Sequence, residues 1–275
     1  MKINFYPKFF RFIFTSFLVI VLSSLSSCTT APYSDRNQLI MTSKNEESQY
    51  GTDAWKQVLS DNKVSSNTVY RDRLNRVAGN LIKVITDENY KWEFIVIDSN
   101  QANAFCLPGG KIAVYSGLFD IVSNDAELAA VIAHEIGHAL ARHSGERMTH
   151  LYGKQIGQGI LGIVIKQADV NLSVDWTKVY GIVSDVGVIL PYSRVQEYEA
   201  DHIGIMIMAK AGYNPVADLI FWEKFSKLAS YGELQEFFTT HPMGIKRIKE
   251  IESLMPTAEI LYNKATVKRN LGVVY

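Results

Sequence analysis

The chain has 275 residues, of which 47% are hydrophobic and 20% are charged, and its formal net charge is +0. This hydrophobic fraction excludes an intrinsically disordered chain, and the length is enough for one sizeable domain or two small ones. The balanced charge, without a basic cluster, argues against nucleic-acid binding. We therefore expect a folded protein with no nucleic-acid partner.

The start of the chain predicts a signal peptide over residues 1–27. Lys2, Lys8 and Arg11 form a basic start, and the apolar stretch that follows is short for a membrane-spanning helix. The stretch ends in Leu-Ser-Ser-Cys at Cys28, which resembles a bacterial lipobox. That resemblance implies that Cys28 is acylated and attaches the protein to the membrane through an N-terminal lipid. The alternative is an ordinary signal peptide with an incidental cysteine.

Thr29 follows the cysteine at the position where an aspartate would favour retention at the inner membrane. By resemblance to bacterial lipoproteins, we expect an anchor in the outer membrane that faces the periplasm. Residues 28–45 are polar and predict a lipidated tether, in which residues 36–41 could dock on the domain surface. Residues 46–275 predict the folded domain.

Cysteine usage agrees with this interpretation. If Cys28 carries a lipid, Cys106 is the one thiol left in the chain, and no internal disulfide can form. Cys106 lies between two apolar residues, so we expect a small buried core residue, with a reactive thiol as the alternative.

Hydrophobic periodicity predicts an α+β fold that is mainly helical. Helices are expected at 45–60, 67–87, 123–140, 194–211 and 216–229, then from 239–242 onward, with a short separate helix after Met255. Strands are expected at 92–98, 102–107 and 111–115, the last two joined by a Pro-Gly-Gly turn. The predicted sheet is small and comes directly before the helix at 123–140.

Residues 147–190 contain two apolar, Gly-containing runs, each short for a membrane span. They predict a pair of core helices or a helical hairpin. A flap that faces the membrane or a partner is the alternative, and the sequence leaves both open.

The motif H-E-x-x-H lies within the apolar helix at 123–140. His134 and His138 are one helical turn apart on the same face, where two imidazoles can bind one Zn²⁺. Glu135 is the next residue along, beside such a metal, where it can take a proton from a water molecule. A chance match on a buried helix is the alternative.

A catalytic zinc site usually takes three protein ligands. Glu197, on the helix at 194–211, is the best candidate for the third ligand. Asp201 lies one turn further along the same face, where it can hydrogen-bond to a ligand histidine. Taken alone, Glu197 and Glu199 could equally belong to a solvated helix face.

Together, H-E-I-G-H-A and E-Y-E-A-D resemble the CAAX-prenyl-endopeptidase-like zinc metallopeptidases, a gluzincin family whose later motif is E-x-x-A-D. Asn103-Ala104-Phe105 before the Pro-Gly-Gly turn, and Thr240-His241-Pro242 with Arg247, resemble further segments of that family. The resemblance covers residues 35–255 and is nearest to a periplasmic lipoprotein branch. It implies a zincin-like domain with its small sheet beside the H-E-x-x-H helix, and one Zn²⁺ per chain.

The resemblance also implies roles for individual residues. Zn²⁺ would be held by His134, His138 and Glu197, while Glu135 serves as the general base for peptide hydrolysis. His241 is the candidate donor to the oxyanion, held by Arg247, with a capping or core histidine as the alternative. The remaining histidines, His143, His150 and His202, are expected to be structural.

Substrate would bind as an added strand along Asn103, Ala104 and Phe105. The predicted function is a zinc endopeptidase that cleaves unfolded or misassembled envelope proteins. A zinc-binding chaperone or assembly factor with little or latent proteolysis is the first alternative, and His241 as a fourth ligand would produce the latent state. A lipoprotein adaptor with a structural metal is the second.

Overall fold

The computed structural model describes residues 28–31, 34–86, 90–153, 193–229, 237, 241 and 245–275. The predicted signal peptide and most of the apolar region at 147–190 lie outside these described residues. Within the described ranges, no helix is both long and apolar enough to cross a membrane.

The described elements confirm a mainly helical α+β fold. The helices are α1 (Lys44–Asp61), α2 (Thr68–Ile82), α3 (Asp125–Leu140), α4 (143–153), α5 (Arg194–Lys210), α6 (Val216–Ala229) and α7 (Ile245–Lys264), with a 3-10 helix at Ser116–Asp120. The strands are β1 (Cys28–Thr30), β2 (Asn37–Leu39), β3 (Glu93–Ile97), β4 (Ala104–Leu107) and β5 (Lys111–Tyr115).

The larger sheet has the order β3-β5-β4, with β5 parallel to β3 and antiparallel to β4. The outer side of β3 is covered by the chain before α2, where Ser65 N donates to Val96 O and Asp98 N donates to Lys63 O at 2.8 Å each. On the opposite side of the sheet, β4 is the edge strand and packs beside α3.

Helices α3 and α5 cross closely because each has a glycine at the crossing. A Cβ on Gly137 would lie 2.7 Å from the carbonyl oxygen of Ala200, and one on Gly204 would lie 2.9 Å from the backbone nitrogen of His134. Real Cβ atoms do not approach backbone atoms so closely, so larger residues would push the two helices apart. This crossing brings the H-E-x-x-H and E-x-x-A-D motifs together.

Two expectations from the sequence were wrong in detail. Helix α7 continues through Pro256 to Lys264 instead of breaking after Met255. A proline inside a helix removes one backbone hydrogen bond and usually kinks it, but Ile251 and Ala258 on either side are both fully buried, and this packing favours continuation. Helix α2 ends at Ile82 rather than near residue 87. The expected burial of Cys106 is confirmed.

The N-terminal segment is folded against the domain. Strand β1 pairs with β2 in an antiparallel hairpin, with Cys28 opposite Leu39. Ala31, Gln38 and Ile40 are buried, and Met41 N donates to the hydroxyl of Thr149 on α4 at 2.9 Å. Residues 36–41 therefore dock on the domain.

Candidate metal centre

Helix α3 carries the three side chains of the H-E-x-x-H motif into the protein interior. Asn124 caps its N-terminus by accepting a hydrogen bond from Glu127 N. The helix is buried from Asp125 through His138. His134 Nε2 and His138 Nε2 lie 3.1 Å apart, as expected for histidines one turn apart.

Helix α5 supplies the carboxylate. A capping box formed by Ser193 and Gln196 starts the helix, so Glu197 lies in its first turn and is completely buried. Its carboxylate lies 3.5 Å from His134 Nε2 and 3.3 Å from His138 Nε2. The structure therefore excludes the alternative that Glu197 lies on a solvated helix face.

His241 joins the same cluster. Its Nδ1 lies 3.3 Å from His134 Nε2 and 3.2 Å from Glu197 Oε1, and its ring stacks on Phe237 at 4.6 Å between centroids. One ligand atom from each of His134, His138, Glu197 and His241 lies within 4.8 Å of the others. Sequence reasoning left the position of His241 open; the structure places it among the candidate ligands.

The cluster fits a metal ion. Four donors at 2.0–2.1 Å from a tetrahedral Zn²⁺ would be separated by about 3.4 Å. Five of the six pairs in the cluster are separated by 3.1–3.5 Å. The Nδ1 atom of His134 faces the carboxylate of Asp201 at 2.8 Å, which requires a proton on that nitrogen. In the neutral imidazole, Nε2 then carries a lone pair directed into the cluster, as metal binding requires.

A second layer of residues surrounds the cluster. Asp201 accepts from Arg247 Nε at 2.5 Å and from Nη2 at 2.7 Å. Arg247 Nη1 lies 2.9 Å from Glu197 Oε2, and its guanidinium lies 4.0 Å from the ring centroid of Trp222. Arg247 thus contacts both acidic residues of the E-x-x-A-D motif.

Glu135 differs from the other acidic residues of the site. Its side chain is completely buried, and neither carboxylate oxygen makes a hydrogen bond. Its Oε1 lies 3.4 Å from His241 Nε2. A buried carboxylate without hydrogen bonds is rare in proteins, and here both oxygens can accept a proton.

The acidic residues of the site also differ in the direction in which their pKa values are shifted. Burial raises the pKa of Glu135. Burial also opposes ionisation of Glu197 and Asp201, but nearby positive charge outweighs it: His241 and Arg247 hold the pKa of Glu197 well below its usual value, and Arg247 lowers that of Asp201. The last two therefore stay ionised beside the histidines.

Comparison with known proteins identifies the family. The model for peptidase family M48 matches residues 70–255, a range that includes all four residues of the cluster, Glu135 and the second layer. The chain belongs to peptidase family M48.

Several known proteins are similar to this chain. It is 34% identical to the mitochondrial metalloendopeptidase OMA1 of Schizosaccharomyces pombe over 83% of this chain and 67% of that protein. It is 38% identical to the Arabidopsis thaliana protein of the same name, over 66% of this chain and 36% of that one. The beta-barrel assembly-enhancing protease of Yersinia pestis is 28% identical over 64% of this chain and 37% of its own length. The chain therefore spans only about a third of the length of the last two.

Family M48 membership confirms the gluzincin metallopeptidase that the two motifs predicted; the CAAX-prenyl-endopeptidase-like label and the lipoprotein branch stay predictions. In this M48 chain, the proposed substrate strand lies at the sheet edge. Ala104 and Phe105 are in β4, and buried Asn103 precedes them, with its side-chain oxygen accepting from Ala104 N at 2.8 Å. Its carbonyl accepts from Tyr115 N at 2.9 Å. Asn103 thus fixes the start of the edge strand.

Sequence reasoning missed one set of contacts to the site. His143 Nδ1 lies 2.8 Å from His138 Nδ1, and His143 Nε2 lies 3.0 Å from Glu199 Oε2. Arg36, from the N-terminal segment, donates to Glu199. His143 follows the motif by five residues, but nothing in a single sequence signals that a glutamate 56 residues later is its partner.

Proposed function

We propose that this M48 chain is a zinc-dependent endopeptidase that hydrolyses peptide bonds in proteins of the bacterial cell envelope. The observation that carries the proposal is a buried cluster of three histidines and one glutamate with metal-like separations, beside a buried glutamate that makes no hydrogen bond. Imidazole nitrogen and carboxylate oxygen are donors that Zn²⁺ prefers.

In this proposal His134, His138 and Glu197 hold the ion. Zn²⁺ supplies Lewis-acid chemistry, lowering the pKa of water toward neutrality and polarising the scissile carbonyl. Glu135 takes the proton from the attacking water and passes it to the leaving amine. Asp201 fixes the orientation of His134, and Arg247 holds Asp201 and Glu197 in place.

Substrate would bind in an extended conformation along β4. An edge strand presents backbone donors and acceptors that a peptide can pair with, and this mode depends little on the peptide's side chains. Such recognition suits unfolded or misassembled proteins. The bacterial relatives named for enhancing β-barrel assembly support envelope proteins as the substrates.

We also propose that Cys28 carries the lipid and that the outer membrane, facing the periplasm, is the site of action. The lipobox-like sequence before Cys28 supports this assignment. Labelling with a fatty-acid analogue tests it: wild-type protein should be labelled, and Cys28→Ala should not. Labelling of both proteins, or of neither, would exclude acylation at this residue.

The position of His241 favours a second candidate function, in which proteolysis is latent. With His241 as a fourth ligand, the ion would have no open position for water, as in structural zinc sites. The protein would then act mainly as a zinc-binding chaperone or assembly factor until His241 leaves. If His241 instead donates to the oxyanion, it must turn away from the ligands during the reaction.

Casein cleavage by the full-length chain in detergent separates these possibilities. Wild type should cleave casein, Glu135→Gln should lose activity while retaining one zinc, and the exposed control Glu250→Gln should match wild type. Equal cleavage by wild type and Glu135→Gln would refute the proposed base, and failure to bind zinc would refute the proposed centre.

His241→Ala distinguishes latency from oxyanion stabilisation. Activity that rises in this variant, from a wild type that binds zinc but cleaves slowly, supports the latent state. Activity that falls by roughly a hundredfold, with zinc retained, supports His241 as the oxyanion donor. Unchanged activity would remove His241 from both roles.

A further inference from the structure

A chain of polar contacts links one candidate ligand to the N-terminal segment. It starts at the two Nδ1 atoms of His138 and His143, 2.8 Å apart, and continues from His143 Nε2 to Glu199 Oε2 at 3.0 Å. Arg36 Nε donates to the same oxygen of Glu199 at 2.9 Å, and the hydroxyl of Ser34 donates to the other oxygen. The three residues before Arg36 in this series, His138, His143 and Glu199, are all buried.

The geometry determines where the protons lie. A carboxylate can only accept, so His143 Nε2 must carry the proton that faces Glu199. In a neutral His143 the Nδ1 atom is then an acceptor, and His138 must donate to it from its own Nδ1. His138 Nε2 is consequently unprotonated and is directed toward His134 and Glu197, the arrangement that a metal ligand requires.

The outer end of this contact chain is held by the N-terminal strap, which we define as residues 34–41. The guanidinium of Arg36 forms two hydrogen bonds with Glu146 of α4, at 2.7 and 2.8 Å, in addition to its bond with Glu199. Gln196 Nε2 donates to the same Glu146 carboxylate at 2.7 Å. Arg36 thus joins the strap to both α4 and α5.

The guanidinium of Arg36 compensates the negative charge of two carboxylates at once. Glu146 and Glu199 are both largely buried, and without Arg36 they would lie in a poorly solvated site with little compensating charge. Removal of one partner from a buried ion pair is strongly unfavourable, because the remaining charge is left uncompensated. Arg36 therefore keeps Glu199 at the position where it can orient His143.

We propose that His143 and Glu199 are positioning residues that hold His138 in its metal-binding tautomer, and that the strap secures them through Arg36. The inference rests on the proposed function because it assumes that His138 is a ligand. It makes docking of the N-terminal strap a requirement for full metal affinity. Asp201 fixes the tautomer of His134 in the same way. Each candidate ligand histidine of α3 is therefore oriented by a different acidic residue.

Zinc affinity of the full-length protein, measured by competition with a chromophoric chelator, tests this proposal. We expect His143→Ala and Glu199→Gln to weaken zinc binding by roughly tenfold to a hundredfold, the usual cost of removing such a partner. Arg36→Gln should weaken it less, in the same direction. The controls His150→Ala and Arg71→Gln alter exposed residues and should bind zinc like wild type.

A second measurement covers the case in which a variant is poorly folded or wild type binds no zinc. Nitrogen-15 NMR of the histidine rings in metal-free protein should give His138 protonated at Nδ1 in wild type. Glu199→Gln should give a mixture of tautomers, because an amide of nearly the same size can present either its oxygen or its NH2 group to His143. A single unchanged tautomer in Glu199→Gln, or zinc affinity within twofold of wild type in folded His143→Ala, would overturn the proposal. Loss of zinc binding in wild type itself would refute the proposed function instead.

Discussion

His134 Nδ1 lies 2.8 Å from Asp201 Oδ1, and both oxygens of that aspartate also accept from Arg247. One carboxylate therefore serves a candidate ligand and a buried guanidinium at once. All three residues are buried, so water cannot replace any of these contacts. This arrangement makes Asp201 a sensitive position for both metal binding and folding.

Asp201→Asn should weaken zinc binding by roughly tenfold to a hundredfold, because an amide does not impose the same tautomer on His134. It should also lower the free energy of unfolding by about 3–5 kcal/mol, since Arg247 loses a buried charge partner. Chelator competition and urea unfolding measure the two effects. The exposed residue Asp72 provides the control, Asp72→Asn, which should change neither quantity; wild-type zinc affinity in Asp201→Asn would contradict the assigned role.

Replacement by alanine should have opposite effects on stability at two glycines, one at the crossing of α3 and α5 and one outside it. Gly204→Ala places a methyl group 2.9 Å from the backbone nitrogen of His134 and 3.0 Å from the carbonyl carbon of Ala133, so it should destabilise the fold by about 1–3 kcal/mol. Gly79→Ala on α2 meets nothing within 4 Å and should stabilise by about 0.5–1 kcal/mol. Urea unfolding of both variants tests the prediction, which fails if Gly204→Ala is as stable as wild type.

Asp218 predicts a pH effect on stability. Burial, aided by the negative charge of Asp201, raises its pKa to about 7, against about 3.9 in an unfolded chain. The folded protein then keeps a proton that the unfolded chain releases, so the free energy of unfolding falls as pH rises from about 4 to about 7 and is level above that. At roughly 1.4 kcal/mol per pH unit, the loss is at most about 4 kcal/mol.

Asp218→Asn does not titrate at this position and should lack that loss. Between pH 4.5 and pH 8, the unfolding free energy of wild type should therefore fall relative to that of Asp218→Asn. Urea unfolding of metal-free protein measures both values. A difference that stays constant across this range would exclude a raised pKa at Asp218.

Removal of the metal should distinguish the residues that bind it from Glu135, the proposed base. A bound ion at a thousandfold excess over its Kd stabilises the folded state by about 4 kcal/mol, so chelation with EDTA should lower the melting temperature of wild type. Glu135→Gln should show the same shift, because Glu135 is not a ligand. His134→Ala should show a much smaller shift, and an equal shift in that variant would exclude His134 from the centre.

The sequence predicted those parts of the site that depend on helical spacing. His134, Glu135 and His138 follow from one motif, and Glu197 and Asp201 follow from a second motif one turn long. Most helix and strand positions followed from periodicity to within a few residues. The exceptions are the elements α4, β1 and β2, which the sequence did not predict, the end of α2, and the passage of α7 through Pro256. In that helix, burial of Ile251 and Ala258 outweighs the local preference of proline.

The remaining contacts could not be predicted, because they join residues far apart in the chain. Arg36 and Glu199 are separated by 163 residues, and His134 and His241 by 107. Neither periodicity nor motif spacing carries information about such pairs. The strap was expected to touch the surface, but its role behind His138 depends on the side-chain geometry of three separate elements.

If Cys28 carries the proposed lipid, the β1–β2 hairpin limits the distance between the membrane and the domain. Eighteen extended residues between a lipid on Cys28 and the domain would reach about 60 Å, far enough to sample a wide volume of the surrounding compartment. In the hairpin, Cys28 instead pairs with Leu39, and the chain turns back onto the domain. An acylated Cys28 would therefore hold the domain close to the bilayer, instead of letting it move over the full reach of an extended tether.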